Sequence, residues 1–219
     1  MSTETSVAAV PLIAILRGVT PARVVETASI VYEAGIRMIE VPLNSPDPFA
    51  SIAALAACDR HDWVIGAGTV LNVEQVGRTH QAGGHLIVAP NCDESVIGHA
   101  LQLNLQVIPG FATATEALRA VAVGASQLKL FPAATYGPQH LRALRAVLPP
   151  GIGVFPVGGI GAQDIAPWIA AGATGFGFGS ELFRPEYSLT DIRRRASVLV
   201  QAASAARAQP ALVAAPGKS

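Results

Sequence analysis

The chain has 219 residues, carries no formal net charge at pH 7 and is 51% hydrophobic, which allows one large domain with a substantial core. Its basic residues are scattered and its apolar runs are short, which argues against a nucleic-acid-binding surface, an anionic-membrane surface or a membrane span. The two cysteines, Cys58 and Cys92, are too few for a disulfide framework, and the N-terminus lacks the features of a signal peptide, so we expect a cytoplasmic protein.

Eight short apolar runs alternate with eight segments of helical pattern along the chain. The predicted strands span residues 12–16, 38–43, 64–70, 85–90, 106–110, 127–132, 153–159 and 175–180. The predicted helices span about residues 21–34, 46–57, 72–83, 93–103, 113–124, 137–148, 162–171 and 189–206. Several starts carry helix-capping signals, such as Thr20 before Pro21, or Thr113 with Glu116 in the pattern of a capping box.

The order of these segments predicts the fold class. Nearly continuous apolar strands are typical of parallel sheets that helices cover on the outside. Alternating strands and helices imply a parallel sheet, and eight regular units predict closure into a (β/α)8 TIM barrel. We therefore predict a single α/β domain over residues 11–206, with a leader of residues 1–10 and a disordered tail of residues 207–219. An open doubly wound sheet is the alternative, although such sheets rarely contain eight units this regular.

Lys129 lies in the middle of the sixth apolar run, and the chain contains only one other lysine, Lys218. A buried lysine loses its proton more readily, and the neutral amine is a nucleophile toward carbonyl carbons. Alternatively, the side chain could extend from a strand end to water. Because Glu40 is a second charge within a strand, we predict that Glu40 and Lys129 are partners inside the barrel, either in catalysis or as a structural ion pair.

Glycine pairs follow the last two predicted strands, at the edge where active sites of this fold lie. Gly158 and Gly159 end the seventh strand, and Gly179 and Ser180 end the eighth. Backbone N–H groups at these positions could bind a phosphate, because glycine lets the backbone approach the oxygens closely. Such pairs also commonly mark ordinary turns.

Two further strand ends carry candidate substrate ligands. Arg17 could clamp a carboxylate or phosphate, or could form a surface salt bridge. Thr69 could donate a hydroxyl hydrogen bond, or could only form a turn with Gly68. The five histidines show no metal-ligand spacing and the cysteines form no Cys-x-x-Cys motif, so we expect neither a metal site nor a cofactor.

Taken together and in order, these motifs resemble those of the 2-keto-3-deoxy-6-phosphogluconate and -galactonate aldolases, class I enzymes with the barrel fold. The resemblance extends from about Pro11 to Phe183 and includes Ala14-Ile-Leu-Arg17-Gly, Ile39-Glu40-Val, Gly66-Ala-Gly-Thr69-Val-Leu, Leu128-Lys129-Leu-Phe-Pro132-Ala, Gly158-Gly159 and Gly179-Ser180. It implies that Lys129 forms a Schiff base, that Glu40 is the acid and base, and that Arg17 and Thr69 hold the substrate. It also implies that the glycine-rich strand ends with Ser180 hold a phosphate, and that the protein is a homotrimer.

Two segments favour the galactonate branch of this family. The gluconate branch typically has a Thr-Leu-Arg-Thr type of sequence after the glutamate, whereas this chain continues Val41-Pro-Leu-Asn-Ser-Pro46. Val157 stands where that branch usually has threonine, and valine cannot hydrogen-bond a substrate hydroxyl. The resemblance therefore implies cleavage of 2-dehydro-3-deoxy-6-phospho-D-galactonate to pyruvate and D-glyceraldehyde 3-phosphate, with the C4 epimer, the gluconate, as the alternative substrate. Phe111, where a smaller residue is common, is expected to narrow the pocket rim.

Two other functional classes stay open from the sequence. A non-catalytic barrel that binds a sugar phosphate would need Arg17 and the glycine pairs but neither Glu40 nor Lys129. Another phosphate-binding barrel enzyme, such as an isomerase or a thiamin-phosphate-type synthase, is also conceivable. The synthase, however, needs acidic metal ligands near a pyrophosphate, and the predicted strand ends lack them.

Overall fold

The structure, a computed structural model, describes residues 10–208. The predicted leader, apart from Val10, and the predicted tail, apart from Arg207 and Ala208, lie outside the described residues. None of the helices within residues 10–208 is both long enough and apolar enough to cross a membrane.

Strands and helices alternate along the described residues. The strands are β1 (Leu12–Ile15), β2 (Met38–Pro42), β3 (Val64–Gly68), β4 (Leu86–Val88), β5 (Gln106–Ile108), β6 (Gly110–Phe111), β7 (Gln127–Leu130), β8 (Gly153–Pro156) and β9 (Phe176–Phe178). The helices are α1 (Pro21–Glu33), α2 (Pro48–Ala56), α3 (Val73–Gln81), α4 (Glu94–Gln102), α5 (Ala114–Val123), α6 (Ala133–Arg145), α7 (Ile165–Ala170) and α8 (Leu189–Ala208), with a 3-10 turn at Ala162–Asp164 before α7. The prediction of an α/β fold is confirmed.

The strands form two parallel sheets. One has the order β5-β4-β3-β2-β1-β9, and the other has the order β6-β7-β8. The predicted fifth strand is divided at Pro109 into β5 and β6, because proline has no N–H group to donate to a neighbouring strand. Backbone contacts join the two sheets: the Lys129 N–H donates to the Pro109 carbonyl at 2.8 Å, for example, and Val157 forms an isolated parallel bridge with Gly177.

Alternate residues of several strands belong to two separate apolar cores. In β1, Leu12 and Ala14 pack in the large core that the helices share, whereas Ile13 and Ile15 belong to a smaller core. The remaining members of the smaller core come from β2, β4, β5 and β8 and from the residue that follows β8: Met38, Leu86, Val88, Ile108, Phe155 and Val157. This inner core therefore fills the concave side of the curved sheets.

Register decides which charges point to the inner side. Glu40 pairs with Ile15 of β1, and Lys129 pairs with Phe155 of β8. Because directly paired residues of parallel strands point to the same face, both charged side chains lie on the inner side, above the small apolar core. The fold thus carries two ionisable groups where the other inner strand residues are mostly apolar.

Several local predictions are confirmed and others need correction. Thr113 and Glu116 form the predicted capping box of α5, with the Glu116 carboxylate accepting from the Thr113 N–H at 2.8 Å. Helix α6 begins at Ala133 instead of residue 137, and Gly137, at φ 74°, interrupts it before Pro138 continues the helix. The prediction for Phe111 is wrong: its side chain is 2% exposed and packs in the helix-side core, away from the rim.

Candidate active site

A cleft of about 340 Å³ lies at the carboxyl ends of the strands. It receives residues from β1, β3, β4, β7, β8 and β9 or from the loops that follow them. The cleft is lined by Ile15, Arg17, Thr69, Pro90, Lys129, Phe131, Val157, Gly158, Gly159, Ile160, Gly177, Gly179, Ser180 and Glu181. Every site residue predicted from the sequence lines this cleft except Glu40, so the tertiary structure gathers strand ends that are distant in sequence.

Glu40 lies deeper than the lining residues. Its side chain is 1% exposed, and its Oε2 atom has no hydrogen-bond partner among the described residues. The carboxylate rests directly against Gly68, where any side chain would overlap it. Burial raises the pKa of Glu40 to about 7, although the positive charges of Lys129 and Arg17 oppose that rise. Near neutral pH this carboxyl group can therefore both accept and donate a proton.

Lys129 is 5% exposed and lies at the floor of the cleft. Burial lowers the pKa of its amine, and the nearby Arg17 charge lowers it further, while Glu40 opposes both effects. The Lys129 Nζ atom lies 4.9 Å from the centre of the Phe131 ring. The side chain therefore does not extend to water, and the expectation of a buried lysine amine is supported.

Glu40 and Lys129 influence each other as predicted for partners inside the barrel, but the alternative of a structural ion pair is wrong. No carboxylate oxygen lies within 4.0 Å of Lys129 Nζ among residues 10–208. The two groups still shift each other's pKa, so they face the same space without forming an ion pair.

Arg17 follows the end of β1 by two residues, is exposed and lines the cleft. Its Nη1 donates to the side-chain carbonyl of Asn44 at 2.5 Å, and its Nη2 donates to the Thr69 hydroxyl at 3.4 Å. Within the described part of the chain it forms no salt bridge, which contradicts the alternative interpretation as a surface ion pair. Its positive charge is thus available to an anionic group in the cleft.

Thr69 holds an unusual backbone conformation at the end of β3. Its φ is 57°, in the left-handed region that a β-branched residue rarely adopts. Such strain persists where surrounding structure enforces it, and it commonly accompanies ligand sites. This conformation directs the loop after Gly68 so that Thr69 borders the cleft beside Arg17.

A second part of the cleft wall, formed by the residues after β8 and β9, consists largely of backbone. Gly158 and Gly159 adopt φ values of 99° and 72°, which a residue with a side chain would adopt only under strain. Gly179 has open space where a Cβ would lie, and Ser180 follows it. The charged side chain that follows Ser180 is the acidic Glu181, which would repel an anion. The backbone N–H groups of this wall and the Ser180 hydroxyl are therefore the candidate hydrogen-bond donors to an anion.

Comparison with known proteins identifies the family. The family model for aldolases of the KDPG and KHG type matches residues 3–194. The chain belongs to the KDPG and KHG aldolase family. It is 45% identical to the 2-dehydro-3-deoxy-6-phosphogalactonate aldolase of Escherichia coli (strain K12) over 88% of this chain and 94% of that protein. It is also 45% identical to the probable 2-dehydro-3-deoxy-6-phosphogalactonate aldolase of Rhizobium meliloti (strain 1021), over 85% and 88% of the two chains. A solved structure described as native KDPGal superposes with a TM-score of 0.89 at 43% identity, covering 94% of this chain and 99% of that one.

Six lining residues are not among the predicted site residues of this aldolase: Ile15, Pro90, Phe131, Ile160, Gly177 and Glu181. The period-two alternation of strands could have found two of them, because Ile15 precedes Arg17 by two positions and Gly177 precedes Gly179 by two. Ile160 and Glu181 lie in loops, where no periodic signal exists.

A larger groove of about 650 Å³ lies elsewhere, beside the beginnings of β3 and β4. It contains Cys58, His61 and His85 but none of the predicted site residues. Within residues 10–208, no group of three or more histidine, cysteine, aspartate or glutamate side chains could hold a metal ion. The smaller cleft, in contrast, is lined by Lys129 and lies next to Glu40, the two buried charged side chains among residues 10–208.

Proposed function

We propose that this aldolase is a class I enzyme that cleaves 2-dehydro-3-deoxy-6-phospho-D-galactonate to pyruvate and D-glyceraldehyde 3-phosphate. The observation that carries the proposal is the pair of buried groups at one cleft: an amine with a lowered pKa in Lys129 and a carboxyl group with a pKa near 7 in Glu40. The names of the two relatives at 45% identity support the choice of substrate.

Schiff-base formation is the first half of the reaction. The neutral amine of Lys129 attacks the C2 ketone of the sugar acid, and the carbinolamine that forms loses water to give an iminium ion. Burial supports this step because it increases the fraction of Lys129 that is unprotonated. The iminium draws electrons from the C3–C4 bond, so the proposal requires no metal ion or other cofactor for this polarisation.

Carbon–carbon cleavage is the second half. Glu40, through a water molecule, accepts the proton of the C4 hydroxyl, and the C3–C4 bond breaks to release the aldehyde. The two electrons of the broken C3–C4 bond move toward the iminium nitrogen, so that the three-carbon fragment stays on Lys129 as an enamine. Return of the proton to C3 and hydrolysis of the iminium release pyruvate and restore both groups. A pKa of about 7 suits Glu40 to both proton transfers.

The cleft also offers groups for binding and orientation. Arg17 and Thr69 are proposed to hold the substrate carboxylate and carbonyl, because they lie beside each other on one wall. The wall of Gly158, Gly159, Gly179 and Ser180 is proposed to bind the phosphate. Binding energy at the phosphate, remote from the breaking bond, helps to position the reacting carbon atoms.

Three wider features belong to the same proposal. The bridge from Val157 to Gly177 and the bond from Lys129 to Pro109 support closure of the two sheets into a complete (β/α)8 barrel that forms a single domain.

The unpaired Cys58 and Cys92 support a reducing compartment such as the cytoplasm. A homotrimer is the proposed assembly, and sedimentation analysis would test it directly.

Borohydride trapping tests the Schiff base. Reduction in the presence of pyruvate should add a stable pyruvate-derived mass to the peptide that contains Lys129. Lys129→Arg should abolish both the adduct and the cleavage activity, because a guanidinium group stays protonated. An adduct on another residue, or no adduct in the unaltered protein, would contradict the proposal.

The gluconate epimer is the second candidate substrate, because the family that the chain matches includes KDPG aldolases. The two epimers differ only at C4, and the Val157 side chain, which lines the cleft, has no group that could hydrogen-bond a hydroxyl there. Comparison of kcat/KM for the two pure epimers decides the matter, and a clear preference for the gluconate would refute the assignment of the galactonate.

A further inference from the structure

The loops after β1 and β2 are joined by two side-chain hydrogen bonds. Arg17 Nη1 donates to Asn44 Oδ1 at 2.5 Å, and the Gly18 N–H donates to the Ser45 hydroxyl at 2.9 Å. Ser45 is only 8% exposed, so the second bond is shielded from water. The two bonds fix Asn44 relative to the start of the loop that carries Arg17.

The chemistry of the Arg17–Asn44 bond is unambiguous. A guanidinium group can only donate, so the Asn44 atom that faces it must be the carbonyl oxygen. The second anchor of the guanidinium, the Thr69 hydroxyl, is weaker at 3.4 Å. The long and exposed Arg17 side chain would therefore sample many rotamers if the Asn44 carbonyl did not hold it.

Neutrality distinguishes Asn44 from other acceptors. An aspartate at this position would hold Arg17 equally well in geometry, but it would pair with the positive charge. The amide orients the guanidinium and leaves its charge uncompensated. Asn44 itself is absent from the cleft lining, whereas Arg17 is part of it.

We propose that Asn44 is a positioning residue, which holds the Arg17 guanidinium over the cleft while keeping its charge free for the carboxylate of the substrate. This inference rests on the proposed function, because it takes Arg17 as the carboxylate ligand. The uncompensated charge also acts on the chemistry, since Arg17 lowers the pKa of both Lys129 and Glu40.

The test uses Asn44→Asp and Asn44→Ala in the condensation direction, with pyruvate and D-glyceraldehyde 3-phosphate as substrates. Asn44→Asp should raise the KM for pyruvate about tenfold, and Asn44→Ala should raise it about threefold. The KM for the aldehyde, which has no carboxylate, should change less than about twofold in both variants. The pyruvate concentration that gives half-maximal borohydride trapping should shift in the same order.

Asn72→Asp is the matched control. Asn72 is another exposed asparagine, in the loop after β3, where its side chain caps α3 by accepting from the Gln75 N–H at 2.9 Å. Aspartate caps helices as well as asparagine does, so this variant adds the same charge without altering the fold. It should leave the KM for pyruvate unchanged, and thermal unfolding should show that all variants are folded.

A double-mutant cycle with Arg17→Ala separates positioning from a general effect of charge. If Asn44 acts through Arg17, then Asn44→Asp should change the KM for pyruvate by less than about twofold when Arg17 is already absent. An unchanged KM in Asn44→Asp alone, or an equal tenfold rise in the Arg17→Ala background, would overturn the inference. Failure of the unaltered enzyme to form an adduct at Lys129 would instead overturn the proposed function, and this inference with it.

Discussion

Gly68→Ala tests the assigned role of Glu40 with a single added methyl group. Gly68 ends β3, pairs with Pro42 of β2 and lies directly against the Glu40 side chain. A Cβ at this position would overlap the carboxyl carbon and both of its oxygens. Its φ lies outside the left-handed region, so alanine is compatible with the backbone itself. The perturbation therefore acts on Glu40 and leaves every proposed reacting group present.

The size of the displacement sets the expected effect. To restore an ordinary van der Waals separation of about 3.5 Å, the carboxylate must move by more than about 1 Å. Misplacement of a reacting group by about 1 Å can cost about 100-fold in rate, so kcat should fall about 100-fold. Overpacking of this kind also destabilises the fold by about 1–3 kcal/mol, which a domain of this size tolerates at 25 °C.

Initial rates of pyruvate release measure kcat, and thermal unfolding reports the fold. Gly77→Ala, in α3, is the matched control, because its Cβ would meet no atom within 4 Å. That variant should keep full activity and gain up to about 1 kcal/mol in the free energy of unfolding, since alanine favours helix. A folded Gly68→Ala enzyme with kcat within about threefold of the unaltered value would refute the reasoning about Glu40.

The remaining predictions concern the same cleft. Glu40 has a pKa of about 7 in the folded protein and an ordinary pKa of 4.5 in the unfolded chain. Between these two pH values the folded protein keeps a proton that the unfolded chain has released. Glu40 should therefore reduce the free energy of unfolding by up to about 3 kcal/mol as the pH rises from about 4.5 to about 7. Glu40→Gln should remove this part of the pH dependence in urea unfolding at pH 5 and pH 8, and an unchanged difference between the two values would count against the raised pKa. Val157→Thr should raise the ratio of kcat/KM for the gluconate over the galactonate epimer about tenfold, because it adds a hydroxyl group to the cleft wall. A ratio that stays constant would show that Val157 does not face C4.

Local patterns in the chain predict most of the fold. The alternation of apolar runs and capped helical segments predicts the parallel α/β architecture, because those runs must be buried on both faces. The Thr113 and Glu116 capping box is a local motif and forms as predicted. Helix α6 is predicted less well, because its first turn precedes the kink at Gly137 and carries no capping signal.

The sequence by itself determined the candidate residues of the site, from Arg17 to Ser180, because each follows or lies within a recognisable strand and the motifs match one family. Only the tertiary structure decided how they are arranged. It brings eight of the nine predicted residues to one cleft, buries Glu40 beneath it and holds Glu40 and Lys129 beyond ion-pair distance. It also supplies Asn44 as the partner of Arg17. Burial and charge separation arise from contacts between strands that are distant in sequence, so the shifts in the pKa of Lys129 and Glu40 follow from packing and not from local motifs.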